Sequence, residues 1–223
     1  RVFYFLPALD YEMETPIHDH LIINGGSLNL EDAVTGFAQN DAGELIVKTK
    51  AGENFVADLV ILAIGVCPEV GLAERAGLEI GQKGGIRVDD RMQTSDRHVW
   101  AVGDAIEVRD FVSGEWKVIP LAGPANRQGR VAAGNILGRD FTFRGVQATS
   151  VCGVLGMTIA STGLTENELV RLKKSGRDID YEKVYLYPGH HVSYYPGESR
   201  ISMKLIFSKE DGRVLGAQAV GQQ

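Results

Sequence analysis

One continuous apolar run constrains the fold of this chain more than any other feature. Residues Leu59 to Ile64 carry six apolar side chains in succession, without the polar alternation of a strand that has one face in water. Such a run predicts a central parallel strand covered on both faces, which is the arrangement of an α/β protein. Gly65 and Pro68 follow and indicate a turn out of the sheet.

A second apolar stretch, residues 99–102, leads directly into Gly103 and Asp104. We predict a short buried strand with an acidic residue at its carboxyl end, the edge outside which ligands bind in open α/β sheets. Gly103 has no Cβ and allows close approach of a ligand or a second backbone, and the Asp104 carboxylate can accept hydrogen bonds from ligand hydroxyls. These two residues alone leave open the alternative of a sheet edge followed by a turn.

A helix is predicted over residues 120–137, downstream of this loop. Pro124 lies in its first turn, where proline is tolerated, and the small residues that follow allow close packing. A helix N-terminus carries partial positive charge and free N–H groups. It can therefore stabilise an anionic ligand, or a ring that becomes anionic on reduction.

The part of the chain before the apolar run predicts one helix and several short strands. The helix is expected over residues 10–24, and strands are expected over residues 1–6, 27–30, 33–38, 44–49 and 54–57. His18, Asp19 and His20 lie within this helix, where residues two apart point to different faces. A solvated helix end is therefore favoured there over a metal site.

From about residue 146 the pattern changes to that of an α+β domain with an antiparallel sheet. Thr165 and Glu168 have capping-box spacing at the start of a helix over residues 165–176. The strands are expected as a pair within residues 151–162, and then over residues 183–187, 199–208 and 214–220.

The strand over residues 199–208 predicts that this sheet needs cover. Alternation places Ile201, Met203 and Leu205 on one apolar face, and the adjacent Ile206 and Phe207 indicate apolar contact on both faces. We expect either further residues or a second copy of the chain to cover such a sheet.

Composition excludes several classes of function. The chain has 223 residues and a net charge of −6, which argues against nucleic acid as the main partner. No apolar stretch approaches the length of a membrane span, so no membrane partner is expected. Cys67 and Cys152 do not make a disulfide framework, which favours a reducing cytoplasm as the location.

Three stretches together resemble the pyridine nucleotide–disulfide oxidoreductases. They are DLVILAIGVCPE (58–69), TSDRHVWAVGDA (94–105) and PLAGPANRQGRVAAGNI (120–136). Within that family, PLAGPANRQGR and HHVSYYPG (190–197) are most similar to the branch of coenzyme A-disulfide reductases, NADH oxidases and persulfide or polysulfide reductases. The resemblance covers essentially the whole chain.

The resemblance implies an α/β FAD/NAD(P)-binding part, partial and three-layered, followed by an α+β dimerisation domain. It implies FAD and NAD(P)H as cofactors of the parent protein. Asp104 would bind the ribityl or diphosphate region of FAD beside Gly103, and Leu121 and Ala122 would lie beside the flavin ring. Gly65 is included among the cofactor-binding positions.

The resemblance also implies domain limits and a quaternary structure. Residues 1–66 would be the remnant of an NAD(P)H-binding domain, residues 67–144 the second FAD segment, and residues 146–223 a truncated dimerisation domain. In a homodimer, Tyr194 or Tyr195 would reach the partner's active site and meet a small thiol or disulfide substrate. Ordinary sheet packing is the alternative role for these two tyrosines.

The chain departs from the family pattern in three ways. It contains no GxGxxG loop, which members need for each dinucleotide. The redox cysteine of the family has no counterpart here, so no catalytic residue is assigned, and Cys67 and Cys152 are interpreted as bystanders. Met157 stands where coenzyme A-disulfide reductases can carry a substrate-binding tyrosine, which weakens the case for that disulfide.

We therefore expect a C-terminal part of an FAD-dependent enzyme that uses NAD(P)H to reduce a low-molecular-weight disulfide, persulfide or polysulfide. Two alternatives stay open. In the first, the parent reduces oxygen as an NADH oxidase, and in the second, the chain alone is a non-catalytic binding and dimerisation module. Because the glycine-rich phosphate loops are missing, the isolated chain is expected to hold little or no flavin and to be inactive.

Overall fold

A computed structural model describes Leu6 and residues 8–222, and the chain divides between Val66 and Cys67 into two units. The first unit contains one helix, α1 (Tyr11–Ile23), and a three-stranded antiparallel sheet in the order β1-β2-β3. The strands are β1 (Val34–Gln39), β2 (Leu45–Thr49) and β3 (Asn54–Ala57). The strand predicted over residues 1–6 lies, apart from Leu6, outside the described residues.

Two strand predictions in this unit are wrong. Residues 27–30 form no strand, and the apolar run Leu59 to Ile64 has no regular structure. Ile61 and Ile64 are 80% and 89% exposed rather than buried. A buried parallel strand needs hydrogen-bonding neighbours and covering helices, and no described strand pairs with this run.

The first half of the second unit is built around a small three-stranded sheet. Its elements are α2 (Gly71–Arg75), β4 (Ile86–Arg87), a 3₁₀ turn (Gly103–Ala105), β5 (Ile106–Arg109), β6 (Trp116–Lys117) and α3 (Ala122–Ile136). The sheet order is β4-β5-β6, with β4 parallel and β6 antiparallel to β5. One hydrophobic cluster joins this sheet to α3, with the buried residues Val88, Met92, Ile106, Val108, Ala132 and Val146.

The second half of this unit is the predicted antiparallel sheet with a helix on one face. Its elements are β7 (Ser150–Val154), β8 (Met157–Gly163), α4 (Glu166–Lys174), β9 (Tyr181–Leu186), β10 (Ile201–Ser208) and β11 (Val214–Gln222). The strand order is β7-β8-β11-β10-β9, and every neighbouring pair is antiparallel.

Helix α4 begins as the sequence predicts. The Thr165 side chain accepts a hydrogen bond from the Glu168 backbone N–H, and the Glu168 carboxylate accepts one from the Thr165 N–H, so the capping box is complete. Leu169 and Leu172 on α4 are buried against Ile206 of β10. The helix therefore covers the face of the sheet to which Ile206 belongs.

The two faces of strand β10 are buried to different extents, and the more buried face is not the one that carries the apolar series. The covered face carries Lys204, Ile206 and Ser208, all buried, whereas the apolar series that includes Met203 and Leu205 is only partly buried. The fully buried position 204 is a lysine because its ammonium group reaches the Glu166 carboxylate at 2.5 Å. The prediction of apolar contact on both faces holds, since Ile206 is fully buried and Phe207 is partly buried.

Candidate functional site

The Gly103–Asp104 turn is docked on helix α3. Gly103 has a φ of +81°, a conformation that glycine adopts without strain, and its N–H donates a 2.7 Å hydrogen bond to Oε1 of Gln128. Gln128 lies on α3 and is 2% exposed. Asp104 is exposed, and no group in the described part of the chain hydrogen-bonds its carboxylate. The turn thus holds a carboxylate open to solvent beside α3.

The stretch before this turn differs from its prediction. Residues 99–102 do not form a buried strand, and Val99 and Val102 are 37% and 39% exposed. Their hydrogen bonds are local, from Ala101 N–H to the Met92 carbonyl and from Thr94 N–H to the Val99 carbonyl. No described strand pairs with this segment beyond one isolated bridge. Trp100 and Ala101 are partly buried against the hydrophobic cluster, whereas Val99 and Val102 stay exposed.

The N-terminus of α3 opens onto a cavity of about 580 Å³. Leu121 is the N-cap and supplies no side-chain cap, so the N–H groups of Ala122 and Gly123 precede the first intrahelical bond, from Ala125 to Leu121. Pro124 is buried in the first turn, where it has no N–H to satisfy. Leu121 and Ala122, both predicted from sequence, line this cavity.

The cavity is positively charged in an otherwise acidic chain. Arg127 of α3 and Arg144 of the following segment line it, and its lining contains no carboxylate. Neither guanidinium has an ion pair with any residue that the structure describes. Together with the dipole of α3, these two charges favour an anionic or electron-rich ligand.

One wall of the cavity is held by the segment that leads into the sheet. Phe111 and Val146 both line the cavity, and the Phe111 N–H donates a 2.8 Å hydrogen bond to the Val146 carbonyl. Val146 in turn donates to the Arg109 carbonyl at 2.9 Å. The end of β5 therefore fixes the position of the cavity wall.

A partly buried ion network lies beside this wall. The Lys117 ammonium contacts the Asp110 carboxylate at 2.9 Å and the Glu168 carboxylate at 2.6 Å, so it joins the β5–β6 hairpin to α4. Burial by itself would raise the pKa of Asp110, but hydrogen bonds from Ser113 and Lys117 outweigh it, and the pKa lies below its ordinary value. Burial would lower the pKa of Lys117, but Glu168 and Asp110 outweigh it and raise the pKa.

Comparison with known proteins gives two matches, one over each side of residues 130–148. A model described as pyridine nucleotide-disulphide oxidoreductase matches residues 2–129, more than half of the chain. The chain belongs to this family. A second model, the dimerisation domain of pyridine nucleotide-disulphide oxidoreductases, matches residues 149–223. The predicted family and fold class, a FAD/NAD(P)-binding α/β part followed by an α+β dimerisation domain, are thereby confirmed.

Named relatives come from the predicted branch of this oxidoreductase family. The chain is 40% identical over 197 residues to the NAD(P)H sulfur oxidoreductase (CoA-dependent) of Pyrococcus abyssi, which covers 88% of this chain and 43% of that protein. It is 27% identical to the coenzyme A disulfide reductase of Staphylococcus aureus, over 96% of this chain and 47% of that protein. The chain thus spans less than half the length of these relatives.

Solved structures of the family superpose closely on the chain. Reduced CoADR-RHD of Bacillus anthracis gives a TM-score of 0.90 at 44% identity, covering 98% of this chain and 38% of that protein. The NAD-dependent persulfide reductase of A. fulgidus also gives 0.90, at 37% identity, covering 97% of this chain and 39% of that protein. No helix in the described part of this oxidoreductase chain is long and apolar enough to span a membrane.

Of the site residues predicted from the sequence of this oxidoreductase chain, Leu121 and Ala122 are among the described residues that line the cavity, and Gly103 and Asp104 are not. Tyr194 and Tyr195 are 82% and 66% exposed in the loop between β9 and β10 and do not line the cavity. Gly65 belongs to the first unit and has a φ of +94°. Both cysteines, Cys67 and Cys152, are free and exposed.

Sequence reasoning missed the polar residues that shape the site. Gln128 gave no signal beyond its place in the helix, and only the structure shows that it holds the Gly103 N–H. Arg127 and Arg144 are too far apart in the sequence to be recognised as a pair. The turn of the chain after α3 brings both side chains to one cavity. Met157 is buried at the start of β8, so in this chain it is a packing residue.

Proposed function

We propose that this chain comprises the remnant of the NAD(P)H-binding domain, the second FAD segment and the dimerisation domain of an FAD-dependent oxidoreductase that uses NAD(P)H to reduce a low-molecular-weight disulfide, persulfide or polysulfide. The observation that carries the proposal is the positively charged cavity at the N-terminus of α3. The names of the relatives, which include a sulfur oxidoreductase and a coenzyme A disulfide reductase, support the same reaction class.

The residues of the cavity fit a flavin. Ala122 and Gly123 are small, so a flat ring can approach their two free N–H groups closely, and these donors suit the acceptor edge of a flavin ring. Leu121 supplies an apolar surface beside them. When bound, FAD would carry electrons between NAD(P)H and the sulfur substrate.

The residues of the chain then have distinct tasks. The N–H groups of α3, with Arg127 and Arg144, would hold negative charge at the cavity and stabilise it as it develops. Gly103, whose N–H is held by Gln128, would allow the ribityl or diphosphate region of FAD to approach closely. Asp104 would accept hydrogen bonds from hydroxyl groups of FAD. Gly65 stays a proposed cofactor contact in the first unit.

We further propose the domain limits 1–66, 67–144 and 146–223. The division of the structure between Val66 and Cys67 supports the first limit, and the match of the dimerisation model from residue 149 supports the second. A cytoplasmic location is proposed because two free, exposed cysteines suit a reducing compartment.

A homodimer is proposed from the uncovered face of the antiparallel sheet. Met203 pairs with Leu186 and Leu205 pairs with Val184 on the face opposite Ile206, which is the face that α4 covers. Leu186 is 51% exposed and Val184 is 38% exposed. A two-fold copy would bury this apolar face and could bring the loop that carries Tyr195 to the partner's active site.

The proposal is tested on the whole flavoprotein that contains this chain. We expect purified protein to be yellow and to oxidise NAD(P)H when coenzyme A disulfide or inorganic polysulfide is added. An Arg127→Gln/Arg144→Gln double variant should lose FAD during dialysis, whereas Arg130→Gln, on the same helix but outside the cavity lining, should retain it. A colourless protein that consumes no NAD(P)H with any disulfide or with oxygen would refute the proposal.

Oxygen reduction is the second candidate. A relative from Methanocaldococcus jannaschii named NADH oxidase is 41% identical over 170 residues, covering 76% of this chain and 36% of that protein. Oxygen consumption by the whole flavoprotein without a disulfide would favour this reaction.

The chain by itself should be colourless after gel filtration, because its phosphate loops are missing. Stoichiometric flavin retained by the isolated chain would contradict that expectation.

A further inference from the structure

The loop between β9 and β10 carries four ring side chains, and each ring contacts the next one in a continuous row. Tyr194 and Tyr195 lie at its exposed tip, and His190 and His191 lie closer to the sheet. The role proposed for Tyr195, to meet the substrate at a partner's active site, requires an exposed side chain to keep one direction. Hydrogen bonds and ring contacts within the loop restrict the direction of the Tyr195 side chain.

The base of the loop is fixed to the sheet. The Ile201 N–H donates to the Pro188 carbonyl at 2.8 Å, and the His190 N–H donates to the Ser199 carbonyl at 3.0 Å. The Ser199 N–H donates back to Nδ1 of the His190 ring at 3.0 Å, and the Ser199 hydroxyl donates to the Gln222 carbonyl of β11 at 3.3 Å. The His190 ring is therefore held by backbone on the opposite side of the loop.

From this fixed ring, contacts continue to the tip. The rings of His190 and His191 have centroids 4.1 Å apart, and the His191 ring meets the Tyr195 ring edge-to-face at 6.1 Å and 78°. The Val192 carbonyl accepts hydrogen bonds from Nδ1 of His191 at 2.9 Å and from the Tyr195 N–H at 3.1 Å. His191 thus contacts Tyr195 through its ring and shares a hydrogen-bond acceptor with its backbone.

We propose that His191 is the positioning residue of Tyr195. Its ring, supported from behind by His190, limits the directions that the Tyr195 side chain adopts at the exposed tip, so that less freedom is lost when the tyrosine engages substrate. The inference rests on the proposed function, since it assumes that Tyr195 acts on the thiol or disulfide substrate.

Three substitutions at one position separate the ring contact from the hydrogen bond. His191→Ala removes both, His191→Phe keeps a ring without the donor, and His191→Asn keeps a donor without the ring. In the whole flavoprotein, His191→Ala and His191→Asn should lower kcat/KM for coenzyme A disulfide and for polysulfide roughly 3- to 10-fold, the range that an edge-to-face aromatic pair accounts for. His191→Phe should retain wild-type kcat/KM, and all three variants should retain their FAD.

The same kinetics test whether His191 acts through Tyr195. In a Tyr195→Ala background, His191→Ala should cause no further loss, because the ring that it positions is absent. An undiminished loss in that background, or wild-type kcat/KM for His191→Ala, would overturn the inference. If the wild-type flavoprotein reduces no disulfide or polysulfide, the proposed function fails instead.

A measurement independent of activity keeps the two failures apart. Fluorotyrosine can be incorporated into the 223-residue chain, and the Tyr195 ¹⁹F resonance assigned by its absence in Tyr195→Phe. His191→Ala should narrow and shift this resonance as the side chain gains freedom, whereas His191→Phe should leave it near its wild-type position and width. An unchanged Tyr195 resonance in His191→Ala would overturn the positioning role whatever the enzyme reduces.

Discussion

The ion network around Lys117 gives the sharpest test of how the second unit is held together. Replacing Lys117 by Met preserves most of the volume of the side chain but leaves the Asp110 side chain, which is 0% exposed, without its ammonium partner. Removing one partner of a buried ion pair costs about 3–5 kcal/mol. Because Asp110 keeps hydrogen bonds from the Ser113 N–H at 2.7 Å and the Ser113 hydroxyl at 2.9 Å, we expect the lower end, about 3 kcal/mol.

This cost should be visible as a lower melting temperature of the chain. At about 2–4 °C per kcal/mol for chains of this size, Lys117→Met should melt roughly 6–12 °C below wild type by circular dichroism. The control is Lys173→Met, which removes an ion pair with Asp178 of the same 2.9 Å length but with both side chains largely exposed. We expect no measurable change in the control, since exposed ion pairs contribute little.

The pH dependence provides a second check of the same reasoning. The pKa of Asp110 lies below its ordinary value of 3.8 in the folded chain, so its stabilisation is complete above that value and is lost as pH falls through the folded pKa. The pKa of Lys117 lies above 10.5, so its stabilisation is complete below that value and is lost as pH rises through the folded pKa. The melting difference between wild type and Lys117→Met should therefore be constant near neutral pH and shrink in strong acid. Equal melting temperatures at pH 7, or a difference that persists in strong acid, would refute the reasoning.

Three further substitutions test other parts of the structure. Gly163→Ala should lower the melting temperature far more than Gly176→Ala, although both glycines have positive φ, because a Cβ at Gly163 would overlap the Leu215 carbonyl whereas nothing lies near Gly176. Equal losses of melting temperature would mean that the loss comes from backbone strain at positive φ and not from overlap of the new Cβ with the Leu215 carbonyl. Gln128→Ala should cost about 1 kcal/mol in urea unfolding because it removes the acceptor of the partly buried Gly103 N–H, and wild-type stability would contradict this. In the whole flavoprotein, Asp104→Ala should weaken FAD retention roughly tenfold or more, and unchanged flavin after dialysis would make Asp104 only a turn residue.

Elements with local signals could be predicted from the sequence. The capping box of Thr165 and Glu168 starts α4, and Pro124 marks the first turn of α3, because both signals act within one helical turn. These features depend on a few neighbouring residues, so no distant contact was needed to predict them.

Elements that depend on distant partners were predicted wrongly. Residues 59–64 and 99–102 are apolar enough for buried strands, yet they are exposed or half-exposed because no described strand pairs with them along their length. In β10, alternation placed Met203 and Leu205 on one face as observed, but it gave no sign that α4 covers the opposite face, where Glu166 accommodates Lys204. Hydrophobicity indicates which residues favour burial, and only the neighbours decide where burial occurs.

The candidate site divides in the same way. The motifs of the sequence alone determined the family. Residue chemistry drew attention to Gly103 and Asp104, because glycine and acidic residues at turns carry short-range information, whereas Leu121 and Ala122 followed only from the resemblance to the family. Only the tertiary structure brought Arg144 across to the N-terminus of α3 and set Gln128 under the Gly103 turn. Those contacts join residues more than fifteen positions apart, and their formation depends on how the whole chain packs rather than on any local pattern of residues.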